Sequence, residues 1–154
     1  PGSGKTTVGK ILSEKLGMPF FDSDEIIVKE TNREISDIFE KEGEKAFRKL
    51  ESKAVFALSG KTGAVISTGG GAILREENVR YLKRNGRLYF LNAELSRLQA
   101  TDSRPLSDTD EKLKRLYAER MPIYQKSADV VVPDLAEPQE EANYITKKRK
   151  DLIL

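Results

Sequence analysis

The chain has 154 residues, 38% hydrophobic and 34% charged, which suits one soluble domain of ordinary size with a core of its own. It has no cysteine and no histidine, which excludes disulfides, thiolate nucleophiles, Ser-His-Asp triads, imidazole bases and metal sites built on sulfur or imidazole. Lys and Arg number 27 against 25 Asp and Glu, and a net charge of +2 is too small to argue for a nucleic-acid or membrane partner without a localised patch. Chemistry is left to carboxylates, hydroxyls, Lys, Arg, backbone amides and oxygen-bound cations.

Gly2-Ser3-Gly4-Lys5-Thr6-Thr7 is the end of the pattern G-x-x-x-x-G-K-[ST], a loop whose amides curl around phosphate oxygens at the start of a helix. In that setting Lys5 reaches the β- and γ-phosphates and the Thr6 hydroxyl ligates Mg²⁺. A Gly/Ser turn that only caps a helix is the plainer alternative. The first Gly of the pattern and the apolar strand that launches such a loop precede Pro1, so the chain reads as part of a longer one, with its central strand upstream. Val8, Ile11, Leu12 and Leu16 mark a helix after the loop.

Pro19-Phe20-Phe21 predicts a short buried strand that ends in Asp22-Ser23-Asp24. Period-two spacing puts both carboxylates on one side of the strand end, Asp22 toward a cation and Asp24 toward a substrate hydroxyl. The competing expectation is a pair that caps the helix beginning near Glu25. Glu44 to Leu58 carries Phe47, Leu50, Ala54 and Leu58 on one helical stripe. On it, Arg48 has Glu44 and Glu51 as i−4 and i+3 partners, and taken alone that ordinary surface pairing wins. Ala64-Val65-Ile66 predicts a second strand, followed by Ser67-Thr68-Gly69-Gly70-Gly71, whose glycines offer amides to an oxyanion or hydroxyls. Leu88 to Leu91 and Asp129 to Val132 are two further strands. Between them lie Arg97, Arg104 and a helix expected to end near Arg120, before Met121-Pro122-Ile123-Tyr124. The last helix starts at Pro138 with Glu140 and Glu141 and ends near Lys147 to Lys150, acid first and base last. Helix–strand alternation of this kind predicts a three-layer α/β sandwich. The longest apolar run, Ala54 to Leu58, is far below the ~18 residues of a membrane span, and no apolar leader is visible, so a cytoplasmic protein is expected.

GSGKTT, FFDSD, ISDIF, GE–FR–E, STGGG, R-x6-RPL and ERMPIY, in this order and spacing from Pro1 to about Val132, together resemble shikimate kinase. The resemblance implies a P-loop kinase fold like that of the nucleoside monophosphate kinases. Its five-stranded parallel sheet has the first strand upstream of Pro1. It implies a single domain over 1–154, with a substrate-binding segment at about 24–58 and a lid at about 99–109. It also implies transfer of the γ-phosphoryl of ATP to the 3-hydroxyl of shikimate, in the biosynthesis of aromatic amino acids through chorismate. By matching position, Asp24, Arg48, Gly70, Gly71 and Arg120 hold shikimate, with the neighbouring Gly69 in the same loop. Phe39 and Phe47 wall the ring or pack in the core, and Glu51 orients Arg48. Arg97 matches the adenine-stacking position and Arg104 the lid residue on the transferring group. Gly2 to Thr7 take the nucleotide phosphates, Mg²⁺ sits on Thr6 and Asp22, and Lys5, Asp24 and Arg104 are catalytic. Asn32 stands where the family often has Gly, and Pro133 to Pro138 offers no basic residue for the adenine. ATP and shikimate are the expected partners, with no nucleic acid or membrane, and a monomer is expected. Gluconate is the nearest rival acceptor, and a nucleotide-responsive module without turnover is the rival from another class. Nucleic-acid binding through Lys147 to Lys150 is a third reading, against the plainer one of a solvated helix end.

Overall fold

The structure is a computed structural model that describes residues 5–92 and 110–151. Helix α1 (Lys5–Leu16) buries Val8 and Leu12 and packs Ile11 and Leu16 beside them, the stripe expected from the sequence. It closes with the Met18 N–H donating to the Ser13 carbonyl at 3.0 Å and the Gly17 N–H to the Glu14 carbonyl at 3.3 Å, a Schellman ending. Strand β1 (Phe20–Asp22) follows Pro19. Helix α2 (Ser23–Thr31) ends on Asn32 at φ 55° and ψ 36°, the left-handed turn that Asn adopts more readily than other residues with a side chain.

Helix α3 (Ile35–Leu58) is longer than the helix expected over Glu44 to Leu58. It runs on both sides of Gly43, whose φ of 87° and ψ of 172° break the helical path. α2 packs against α3, in a core that draws residues from both sides of Gly43, and α3 packs against α4 (Glu76–Arg84). Strand β2 (Val65–Ser67) leads into the glycine loop and a 3₁₀ turn, Ala72–Leu74. Strand β3 (Tyr89–Leu91), helix α5 (Asp110–Ser127), strand β4 (Val130–Val132) and helix α6 (Pro138–Asp151) complete the order. Each of the four strands lies within about a residue of its expected place.

One expectation about α5 is corrected. The helix does not end near Arg120 but continues through Pro122 to Ser127. Proline removes one backbone donor, the bond that would reach the Ala118 carbonyl, and normally stops a helix. Here side-chain contacts hold the turn beyond it: the Tyr124 ring lies 4.5 Å from that of Phe90, and the Tyr124 hydroxyl bonds the Gly70 carbonyl.

β1 pairs in parallel with β2, Phe20 opposite Val65 and Asp22 opposite Ser67. β3 pairs in parallel with β4, Tyr89 opposite Val130 and Leu91 opposite Val132. Among the described residues no strand joins the two pairs. Residues of β2 and β3 instead line a cavity of about 410 Å³, together with Leu12 of α1 and Ile145 of α6. Val8, Leu12, Leu91, Val132, Ala142 and Ile145 form the core that joins α1 and α6 to the strands. Ile27, Ile35, Ile38 and Phe47 join α2 to α3, and Val55, Ala72 and Leu82 join α3 to α4 and the 3₁₀ turn. Each large apolar side chain fully buried here contributes roughly 1.5–3 kcal/mol. No helix among the described residues is long and apolar enough to cross a membrane. The parallel register sets Asp22 beside Ser67 at one edge of the first pair, so α2 and the glycine loop both start from that edge.

Candidate active site

Asp22 is the last residue of β1 and the N-cap of α2. Its Oδ1 accepts the Asp24 N–H at 2.8 Å and the Glu25 N–H at 3.4 Å, two of the amides that a helix start leaves without partners. Its Oδ2 accepts the Thr6 hydroxyl at 3.2 Å, across 16 residues of sequence. The capping expectation is met by Asp22 alone of the pair, and the same carboxylate also holds the Thr6 hydroxyl. Asp24 departs from the expected strand geometry: it lies in the first turn of α2, because the cap at Asp22 has already ended the strand.

Arg48 projects from the second half of α3 and its side chain is nearly covered, at 11% exposure. Its Nη1 donates to Glu51 Oε1 at 2.8 Å and its Nη2 to Glu44 Oε1 at 3.4 Å, the i+3 and i−4 pairs of the sequence. The guanidinium carbon stands 5.3 Å from the Phe47 ring centre and 6.0 Å from that of Phe39, and the two rings are 4.7 Å apart. The rings thus floor the cation, and Phe47 is also part of the core. On its other side the cation meets the backbone of Gly71, where any Cβ would run into the guanidinium nitrogens and carbon. A Cβ there would displace the guanidinium, so glycine is favoured by contact and not by backbone angle, φ being −88°.

Glu51 is buried, with Oε1 on Arg48 and Oε2 without a hydrogen-bond partner among the described residues. Burial pushes its carboxyl above the ordinary value, Arg48 and Arg120 pull it down, and Asp24 pushes it up. Arg48, Asp24 and Arg120, from three different helices, therefore all act on this one group. Arg120 on α5 is only 5% exposed, and its Nε has no hydrogen-bond partner among the described residues. A guanidinium so buried and only partly satisfied is costly unless an anion arrives to meet it.

The glycine loop faces the same group. The Gly69 carbonyl accepts from Ala72 N–H at 3.1 Å and the Gly71 carbonyl from Leu74 N–H at 3.2 Å. The Gly70 carbonyl accepts the Tyr124 hydroxyl at 2.7 Å, across 54 residues. Tyr124 as a tie to this loop was not foreseen from the sequence, although its i+4 spacing from Arg120 on one helical face is a visible signal. Gly2, Ser3, Gly4, Arg97, Arg104 and the 99–109 segment lie outside the described residues, as does the side chain of Lys5. Lys148, Arg149 and Lys150 lie in the last turn of α6, just after Lys147, with the Lys148 ammonium 5.5 Å from the Tyr144 ring, as suits a helix C-terminus. The 410 Å³ cavity lies between the strand pairs and does not include Asp24, Arg48 or Arg120.

Parallel α/β pairing, a Gly-Ser-Gly-Lys-Thr-Thr sequence leading into the first helix and a Thr–Asp pair beside it define a P-loop kinase. The family model for shikimate kinase matches residues 1–150. The shikimate kinase of Thermodesulfovibrio yellowstonii is 40% identical over 98% of this chain and 91% of its own length. That of Caldicellulosiruptor bescii is 41% identical over 97% and 94%. Among solved structures, the shikimate kinase from Acinetobacter baumannii in complex with shikimate superposes with a TM-score of 0.93 at 35% identity, over 99% of this chain and 90% of that one. The enzyme from Aquifex aeolicus gives 0.86 at 39%, over 99% and 93%. The chain belongs to the shikimate kinase family, whose members are ATP-dependent kinases.

Proposed function

We propose that this chain phosphorylates the 3-hydroxyl of shikimate from ATP, with Arg48 and Arg120 holding the substrate carboxylate. The observation that supports this most directly is that two nearly buried guanidiniums both act on Glu51: Arg48, floored by Phe47 and flush against Gly71, and Arg120, whose Nε has no hydrogen-bond partner among the described residues. Guanidinium forks match a carboxylate in plane and in charge. Gly69, Gly70 and Gly71 bring their backbone to the acceptor, and Asp24 aligns the reacting hydroxyl. The hydroxyl oxygen attacks the γ-phosphorus, Asp24 takes up its proton, and the bond to the β,γ-bridging oxygen breaks to release ADP. Positioning and charge neutralisation dominate such a transfer.

Gly2 to Thr7 cradle the phosphates, Lys5 and Arg104 neutralise the γ-phosphoryl, and Arg97 stacks on the adenine. Thr6 Oγ1 and Asp22 Oδ2, 3.2 Å apart, fit Mg²⁺, which keeps several waters and takes one or two protein oxygens besides substrate phosphates. When bound, the ion offsets phosphate charge. The reading includes a single kinase domain over 1–154 with the substrate segment at about 24–58 and a lid at about 99–109. It also includes a monomeric, cytoplasmic enzyme. A fifth, central strand between β2 and β3 completes the three-layer fold, and the cavity bounded by both strands supports it. ADP release measured with shikimate, gluconate, AMP and no acceptor tests the function. Release above background with shikimate alone is expected, and a preference for gluconate or AMP overturns the reading.

A further inference from the structure

The hydroxyl of Tyr124 is a bond that the chemistry above does not use. It donates to the Gly70 carbonyl at 2.7 Å, from a helix that also carries Arg120 four residues earlier. The Gly70 carbonyl and the Gly71 N–H belong to one peptide group, and the described chain has no cis peptide bond. In a planar trans peptide the two point in opposite directions, so holding the oxygen also aims the N–H. Gly71 in turn lies flush against the Arg48 guanidinium. We propose that Tyr124 is a positioning residue, whose hydroxyl fixes the Gly70–Gly71 peptide plane and with it the spacing between Arg120 on α5 and Arg48 on α3.

Three observations carry this beyond ordinary packing. The Tyr124 ring is already placed by Phe90, 4.5 Å away on β3, so the hydroxyl is not needed to bury the side chain. Pro122 leaves the turn beyond Arg120 one backbone bond short, so the register of Tyr124 relative to Arg120 depends on outside contacts. α5 also packs on the 3₁₀ turn that the glycine loop enters, so the loop and the helix form one wall when tied. With the tie removed, the loop and α5 drift independently and the substrate must supply the ordering when it binds. The role rests on the shikimate reading above.

The test is Tyr124→Phe in the whole chain, which keeps the ring and removes one oxygen. The expected result is a KM for shikimate raised by about tenfold, with the KM for ATP and the melting temperature close to the parent's. Faster hydrogen–deuterium exchange of the 67–74 segment is expected beside it. The double variant with Arg120→Lys should show less than the product of the two single effects on shikimate KM, since both act through one placement. An unchanged shikimate KM with unchanged exchange overturns the tie. A lowered melting temperature with both KM values unmoved makes the hydroxyl a stabilising group only, and overturns the role as well. If the parent protein turns over no shikimate, the substrate reading falls and the assigned role with it, while the exchange comparison still shows whether the hydroxyl holds the loop.

Discussion

At Gly71 a Cβ meets the Arg48 guanidinium itself, so a substitution there acts on the site through that cation. Gly71→Ala is expected to push that cation off the Phe39 and Phe47 rings and raise shikimate KM by roughly tenfold or more, a loss of at least ~1.4 kcal/mol. Steady-state kinetics with ATP as the control substrate reads it. Asp24→Asn is expected to keep nucleotide binding and lose about a hundredfold or more of turnover, as for removal of a proton acceptor. Glu51 gives a pH signature. Its folded carboxyl titrates above the ordinary value of 4.5 because burial penalises the charge. A raised carboxyl contributes stability that is fully present below its unfolded pKa and is lost as pH rises through the folded one. The melting temperature of the parent minus that of Glu51→Gln is therefore expected to fall as pH climbs from about 4.5, and a flat difference contradicts this. At this scale the sequence was legible where spacing alone makes a contact, as for Arg48 with Glu44 and Glu51. It was silent where the partner comes from far along the chain: the seat of Gly71 on Arg48 leaves no local pattern, and the i+4 spacing of Tyr124 from Arg120 does not say that its hydroxyl meets Gly70.

At the scale of elements, caps and breakers set boundaries only when tertiary contacts agree. Asn32 closes α2 in the left-handed region, so Asn32→Gly should be nearly neutral, while Asn32→Ala should cost about 1 kcal/mol in urea unfolding. Pro122 is the opposite case: a strong breaker overruled by Phe90 and Gly70 acting on Tyr124. That is why reading the helix end from proline chemistry falls short by almost two turns. Gly43 hides in the same way. One glycine between two amphipathic halves does not announce whether the helix ends or bends, and here it bends, with Ile35 and Ile38 before it and Phe47 and Ala54 after it in one core with Ile27 of α2. The strands were legible to about a residue, since short apolar runs between turn signals have few other uses. Asp24 was misplaced because a strand period was carried past a capping residue that had already started a helix.

For the whole molecule, the site is a link between parts of the fold as well as a place for chemistry. Arg48 belongs to α3, Arg120 to α5, and Gly71 to the segment after β2. A ligand bridging them at a hundred times its dissociation constant stabilises the fold by about 2.7 kcal/mol. For a domain of this size that corresponds to a melting shift of roughly 5–10 °C. Shikimate should produce such a shift in the parent and almost none in Arg48→Ala, where ATP with Mg²⁺ should still act. The Tyr124–Gly70 bond adds a consequence in time. It closes 54 residues of chain, a loop whose entropy must be lost before the contact returns anything, whereas the helices form from neighbours. During refolding from denaturant, the far-ultraviolet helical signal should therefore recover first and the capacity to bind shikimate last. A newly made chain would pass through an interval in which it is largely helical yet still blind to its substrate.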